Sequence, residues 1–120
     1  MTDRDDRSTH ALREILRLTE VGRRFAERGR DWYVSDPDNA PGLAAESLII
    51  KVGENVARVS DELRAAHPEV PWRVIKDMRN RLAHYDEATD DEVVWNTVES
   101  DFPQIAEMVG RILGGADLPG

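Results

Sequence analysis

At 120 residues the chain can enclose one hydrophobic core and is too short for two, so a single domain over residues 1–120 is expected, with its core between about 10 and 113. It has no cysteine, which excludes disulfides and thiolate metal sites, and no apolar run approaches the ~18 residues of a membrane span. The net charge of −8 argues against a surface coated in cations, and the charged stretch Met1 to Arg7 lacks the apolar centre of a signal peptide, so a cytoplasmic protein is expected.

The charge is unevenly spread. Residues 1–50 carry 8 basic and 10 acidic groups, 51–81 carry 7 and 5, and 82–120 carry 1 and 9. Only the middle stretch is net positive, so any RNA footprint would have to lie there. The acidic last third either faces a basic partner or is a solvated helix face.

Ser8 or Thr9 can cap a first helix whose stripe is Leu12, Ile15, Leu16, Thr19 and Gly22, with Phe25 and Ala26 beyond, ending near Gly29. Residues 31–42 are dense in turn formers and predict a loop or a loosely wound helix start. Trp32 and Tyr33 within it either stack on RNA bases or cover the end of the bundle. A second helix is predicted from about Pro41 to Ala66, with Leu48, Val52, Asn55, Val56, Val59 and Leu63 as its stripe. Gly53 inside it costs roughly 1 kcal/mol of helix propensity against alanine, which predicts close approach of another helix. Glu54, its neighbour, is either an ordinary exposed glutamate or an acid that orients Arg79 or His84 across the bundle.

After a break at residues 65–71, a third long helix is predicted from Pro71, burying Ile75, Met78 and Leu82. It carries the densest group of reactive side chains in the chain: Arg79, Asn80, Arg81, His84 and Tyr85. Asn80 and His84, four apart, share a face, whereas Arg79 lies about 100° from Asn80 and about 140° from His84. Arg79 and His84 of one ideal helix would meet only if the helix ends near His84 or if a second copy of the chain supplies one of them. Thr89 to Glu92 then form a capping box, and Val94, Val98, Phe102, Ile105, Val109 and Ile112 are the stripe of a last helix. Pro103 predicts a kink or a restart at Asp101, where Gln104 would complete a second cap, and Gly114-Gly115 predicts the end of the helix. No β-like alternation occurs, so the fold class is all-α, an antiparallel bundle of four to five helices.

The spacing from Arg79 through Asn80 to His84, introduced by Pro71-Trp72-Arg73, resembles the signature of HEPN domains and in particular of HepT-like toxins. Leu48 to Asn55 is similar to that family's apolar run ending in Gly-Glu, and Val94 to Val98 with Asp101-Phe102-Pro103 to the opening of its last helix. The resemblance implies a HEPN-like bundle that dimerises, cleaves RNA without a metal and pairs with a minimal nucleotidyltransferase (MNT) antitoxin. It also implies a tyrosine that accepts AMP from that partner, usually placed in a His-x-Tyr pattern. Here Tyr85 follows His84 directly and Asp86 stands in the usual tyrosine position, so Tyr85 is the candidate acceptor.

The residue chemistry agrees with that implication. The histidines at 10, 67 and 84 lie in different predicted elements without metal-ligand spacing, and no phosphate-cradling glycine loop is present, so neither metal nor cofactor is expected. A histidine titrates near neutrality, which suits His84 as general base or acid, and Arg79 offers a fixed cation whose fork matches phosphate oxygens. Asn80 can hold a phosphate oxygen or the imidazole. Arg81 can bind flanking phosphates or simply face solvent, and His10 is expected at the surface. The plain alternative is that Arg79, Asn80 and His84 only finish a helix C-terminus. Two other readings of the whole chain stay open, an inactive HEPN module that binds RNA or protein and a helical adaptor.

Overall fold

The computed structural model describes the backbone of residues 3–83 and 91–117, with side chains for residues 6–83 and 91–115. Among these the chain is all helical: α1 (Asp3–Arg28), α2 (Arg30–Ser35), α3 (Ala40–Val56), α4 (Asp61–Ala66), α5 (Trp72–Ala83), α6 (Asp91–Asn96), a π-helical turn (Thr97–Asp101) and α7 (Phe102–Asp117). The long elements α1, α3, α5 and α6 with α7 make the bundle, and α2 and α4 are short helices at its ends.

α1 is the central strut, packed along both α3 and α7. It runs antiparallel to α3, because Ser8 near its start meets Ser60 just beyond the end of α3, where Ser8 Oγ accepts the Ser60 backbone N–H at 2.9 Å. It runs antiparallel to α7 as well, because Gly22 near its end leaves the room that Phe102 fills. The predicted stripe of α1 holds for Leu12, Ile15, Thr19 and Gly22, all buried, and Ala11 and Leu18 complete it. The predicted cap does not hold: α1 begins at Asp3, and Ser8 sits buried inside it as the anchor for Ser60. Gly29 ends α1 as expected, its φ of 89° giving the left-handed backbone that turns the chain into α2.

Residues 31–42 are more ordered than their composition predicts. α2 occupies Arg30–Ser35, and Pro41 falls in the first turn of α3, where its missing N–H is harmless. Tyr33 is buried against Trp95, ring centres 4.8 Å apart, and Trp32 stands edge-on to Phe25 at 5.5 Å, with the Arg28 guanidinium 4.5 Å from its ring centre. Trp32 and Tyr33 both pack at the end of the bundle, with Tyr33 buried and Trp32 half-buried.

The helix predicted from Pro41 to Ala66 is two helices. α3 stops at Val56 and Ser60 caps α4, its Oγ accepting the Leu63 backbone N–H at 3.1 Å. Val59, in the connection, is still buried, which is why the apolar periodicity runs unbroken across the gap.

The last helical segment buries all six residues of its predicted stripe. Its chain does not restart at Asp101. It passes through the π turn, in which the Phe102 backbone N–H bonds to the Thr97 carbonyl, five residues back. The extra residue rotates the helix by about 100°, so Val94 and Phe102, eight apart, fall within about 20° of one another. Gln104 bonds the Ser100 carbonyl at 3.0 Å within this continuous helix, and α7 continues through Gly114 and Gly115 to Asp117. The capping box at Thr89 to Glu92 lies mostly outside the described residues. Within them, Asp91 and Glu92 occupy the first turn of α6, and Glu92 pairs with Arg30 of α2.

Candidate active site

α5 is positioned by its own first turn. Trp72 is buried and its indole N–H donates to the His67 carbonyl at 2.9 Å, while the Ile75 backbone N–H bonds the Pro71 carbonyl at 3.1 Å. Ile75 is buried, and Met78 and Leu82 pack against the core, so the helix is fixed in rotation by the stripe read from the sequence.

That rotation turns Arg79 towards α3. Its aliphatic stem lies in the space that a side chain at Gly53 would need: a Cβ on Gly53 would come within 2.6 Å of Arg79 Cγ and closer still to its Cβ. Gly53 therefore does more than allow two helices to approach. It is the notch that seats Arg79.

The guanidinium at the end of that stem has few partners. Nη1 donates to Asn80 Oδ1 at 3.0 Å, Nη2 stands 4.0 Å from Glu54 Oε1, and Nε is buried without a hydrogen-bond partner among the described residues. An arginine stays protonated, so this is a cation held at the edge of the core with one carboxylate at the limit of contact and donors unspent. Phosphate oxygens are the natural complement to such a fork. Asn80 orients the fork from the same helix, and Glu54 flanks it from α3.

Of the residues singled out in the sequence, the structure thus brings Glu54, Arg79 and Asn80 together. Arg81 is exposed and takes no part in this cluster. His84 and Tyr85 lie outside the described residues, immediately after the last described turn of α5. His10 is exposed on α1, and His67 meets Glu69 at 3.2 Å in the loop before α5, so neither joins the cluster. The sequence pointed to Gly53 as a place of close approach but not to the side chain it accommodates.

Residues 9–112 match the family described as ribonuclease HepT-like. The chain belongs to the HepT-like ribonuclease family. Among relatives, it is similar to a probable ribonuclease HepT of Thermococcus cleftensis, 35% identical over 54 residues, which are 45% of this chain and 49% of that protein. It is also similar to a protein of Caldanaerobacter subterraneus named as an RNase, 32% identical over 81 residues, 68% of this chain and 70% of that one. A Methanocaldococcus jannaschii protein, likewise named as an RNase, is 27% identical over 62 residues, covering 52% of this chain and 53% of the relative. The matched segments thus span from about half to 70% of these relatives' lengths. No solved structure gives a significant match. The HepT-like match takes in every described residue of the cluster, from Gly53 and Glu54 to Arg79 and Asn80.

Proposed function

We propose that this chain is a metal-independent endoribonuclease, the toxin of a HEPN/MNT toxin-antitoxin pair, and that Arg79, Asn80 and His84 carry the chemistry. The observation that carries this reading is the under-partnered Arg79 guanidinium, seated in the Gly53 notch and five residues before His84 in the sequence. In the reaction, the ribose 2′-oxygen attacks the adjacent phosphorus as His84 takes its proton. The P–O5′ bond breaks, leaving a 2′,3′-cyclic phosphate, and the departing 5′-oxygen takes up a proton. Arg79 neutralises the charge that builds on the non-bridging oxygens, and Asn80 holds either that phosphate or the imidazole. In this reading Glu54 is the acid that keeps the fork aimed, and the exposed Arg81 meets either a flanking phosphate or solvent.

The site is proposed to sit in a cleft shared by two copies of the chain. Supporting this, Val74 is 64% exposed on α5 at the rim of an apolar cavity of about 220 Å³ between α3, α5 and α7. The MNT partner would act by adding AMP to Tyr85, placing bulk and negative charge beside the residues that bind RNA phosphate. Whole AMP units of added mass, absent in Tyr85→Phe, are the expected sign of that step.

The deciding experiment is RNA cleavage in EDTA. The parent should cleave, and Arg79→Ala and His84→Ala should each lose on the order of 10² to 10⁴ in rate while keeping the helical circular-dichroism spectrum. Undiminished cleavage by either folded variant would overturn the assignment.

A further inference from the structure

The cations of this chain are not treated alike. On the outer faces of α1 and α7, three arginines are matched to acids one turn away, Arg17 to Glu14, Arg23 to Glu20 and Glu27, and Arg111 to Glu107, whereas Arg24 on α1 forms no ion pair with a described residue. Arg30 is matched across elements to Glu92. On α5, Arg73 and Lys76 are exposed and form no ion pair with a described residue. Both border a groove of about 640 Å³ between α4 and α5, floored by Pro68, Val70, Pro71 and Trp72 and walled on the far side by Arg64.

The acids around this groove do not cancel it. Asp61 is engaged by Arg64 and Glu69 by His67, which leaves Asp77, exposed beside Lys76, as the carboxylate facing the two open cations from α5 itself. In a chain of net charge −8, a groove whose cations are left open is a local inversion of the overall field.

Its direction links it to the candidate active site. On α5, Arg73, Lys76 and Asn80 fall within about 60° of one face, and Lys76 and Arg73 lie about 6 and 10 Å back along the helix axis from Asn80. Those steps are comparable to the spacing of successive phosphates in an extended strand. We infer that the α4–α5 groove is a second RNA contact, in which Arg73 and Lys76 hold backbone phosphates of a single strand whose scissile phosphate lies at Arg79 and Asn80. The apolar floor accepts ribose and base without reading sequence, so the groove extends the footprint and sets the strand's polarity along α5. This inference rests on RNA being the substrate, and it assigns Arg73 and Lys76 to binding and not to the chemical step.

The test uses the full chain and a short fluorescent single-stranded oligoribonucleotide, with binding measured in the His84→Ala background so that cleavage cannot intervene. The double variant Arg73→Gln/Lys76→Gln should weaken binding roughly tenfold at low salt and reduce the slope of log affinity against log salt by about 1.4, the loss expected for two phosphate contacts on a single strand. A control that removes the same charge elsewhere, Arg17→Gln/Arg24→Gln on α1, should stay within about twofold of the parent. With His84 intact, Arg73→Gln/Lys76→Gln should raise KM and leave kcat unchanged. Equal losses in the groove and control variants, or an unchanged salt slope, would overturn the groove assignment. So would the absence of any RNA binding by the parent. Failure of the two readings is separable: a parent that binds through the groove without cleaving sinks only the ribonuclease proposal, and an Arg73→Gln/Lys76→Gln variant that cleaves with the parent's KM sinks only the groove.

Discussion

Gly53 and Arg79 compete for one volume: the stem of the arginine occupies the position where any side chain on Gly53 would have to begin. The α3–α5 spacing and the placing of the guanidinium against Glu54 are therefore one property of the fold. Gly53→Ala gains about 1 kcal/mol of helix propensity, but pushing α5 away costs about 1 to 3 kcal/mol of overpacking. The expected result is a protein destabilised by about 1 kcal/mol in urea titration, with RNA cleavage reduced more than tenfold because Arg79 has moved. Gly110→Ala, which meets no atom within 4 Å, should instead stabilise by about 0.5 to 1 kcal/mol and leave cleavage intact. Matching effects from the two substitutions would mean that seating Arg79 is not what Gly53 does.

A second prediction follows from helix geometry. If α5 remained helical to its last candidate residue, Arg79 and His84 would diverge by about 140° on one chain, so a complete site would draw on two. Mixing inactive Arg79→Ala with inactive His84→Ala should then restore part of the cleavage once subunits exchange. No recovery after exchange verified by mass spectrometry would place both groups of each site on one chain.

Tyr33 supplies a stability prediction independent of function. Its ring is needed against Trp95, yet its hydroxyl is buried without a hydrogen-bond partner among the described residues, and burial together with the Asp91 and Glu46 carboxylates pushes its pKa up to about 12. Tyr33→Phe keeps the ring and removes an unsatisfied polar group, so it should be neutral to stabilising by about 1 kcal/mol in thermal unfolding. A loss of more than that would show that the hydroxyl is bonded in solution.

The same corner sets a pH dependence. Burial first, and then the Asp91 carboxylate, raise the Glu46 pKa above its ordinary value of 4.5. The folded state therefore holds the Glu46 proton more tightly than the unfolded state does. Its contribution to stability is full below 4.5 and is lost as pH rises through the raised value. Glu46→Gln cannot titrate, so it should melt higher than the parent near neutral pH, with the gap closing as pH falls to about 4. A gap that is constant across that range would assign the effect to something other than ionisation.

How legible these features were in the sequence depends on the scale of the interaction behind each. Stripes at three- and four-residue steps report burial directly, which is why Ile75 and the series from Val94 to Ile112 could be named in advance. Element ends report local bonding that competes with burial. Ser8 looked like a cap but is spent on Ser60, fifty-two residues away, and Ser60 looked like helix interior but caps α4. The cluster was legible in composition, since Glu54, Arg79 and Asn80 were all singled out, but not in contacts. That the Arg79 stem fills the Gly53 notch depends on how α3 and α5 pack, which no spacing along one helix encodes. The groove cations escaped notice because Arg73 and Lys76 look like any solvated helix face until their lack of acidic partners can be seen.

The widened turn at Thr97–Asp101 has a consequence for how this chain tolerates editing. Val94 and Phe102 face one core because the wide turn absorbs a surplus residue between them. Excising a single exposed position such as Glu99 would shorten no loop and break no helix. It would leave a seven-residue step that a regular α-helix spans with Val94 and Phe102 still within about 20° of one another, so Phe102 would keep its place at Gly22, but the Pro103 ring would then meet the carbonyl four residues before it. What the wide turn serves is therefore Pro103 and not the phase of the helix, which one residue fewer would leave unchanged.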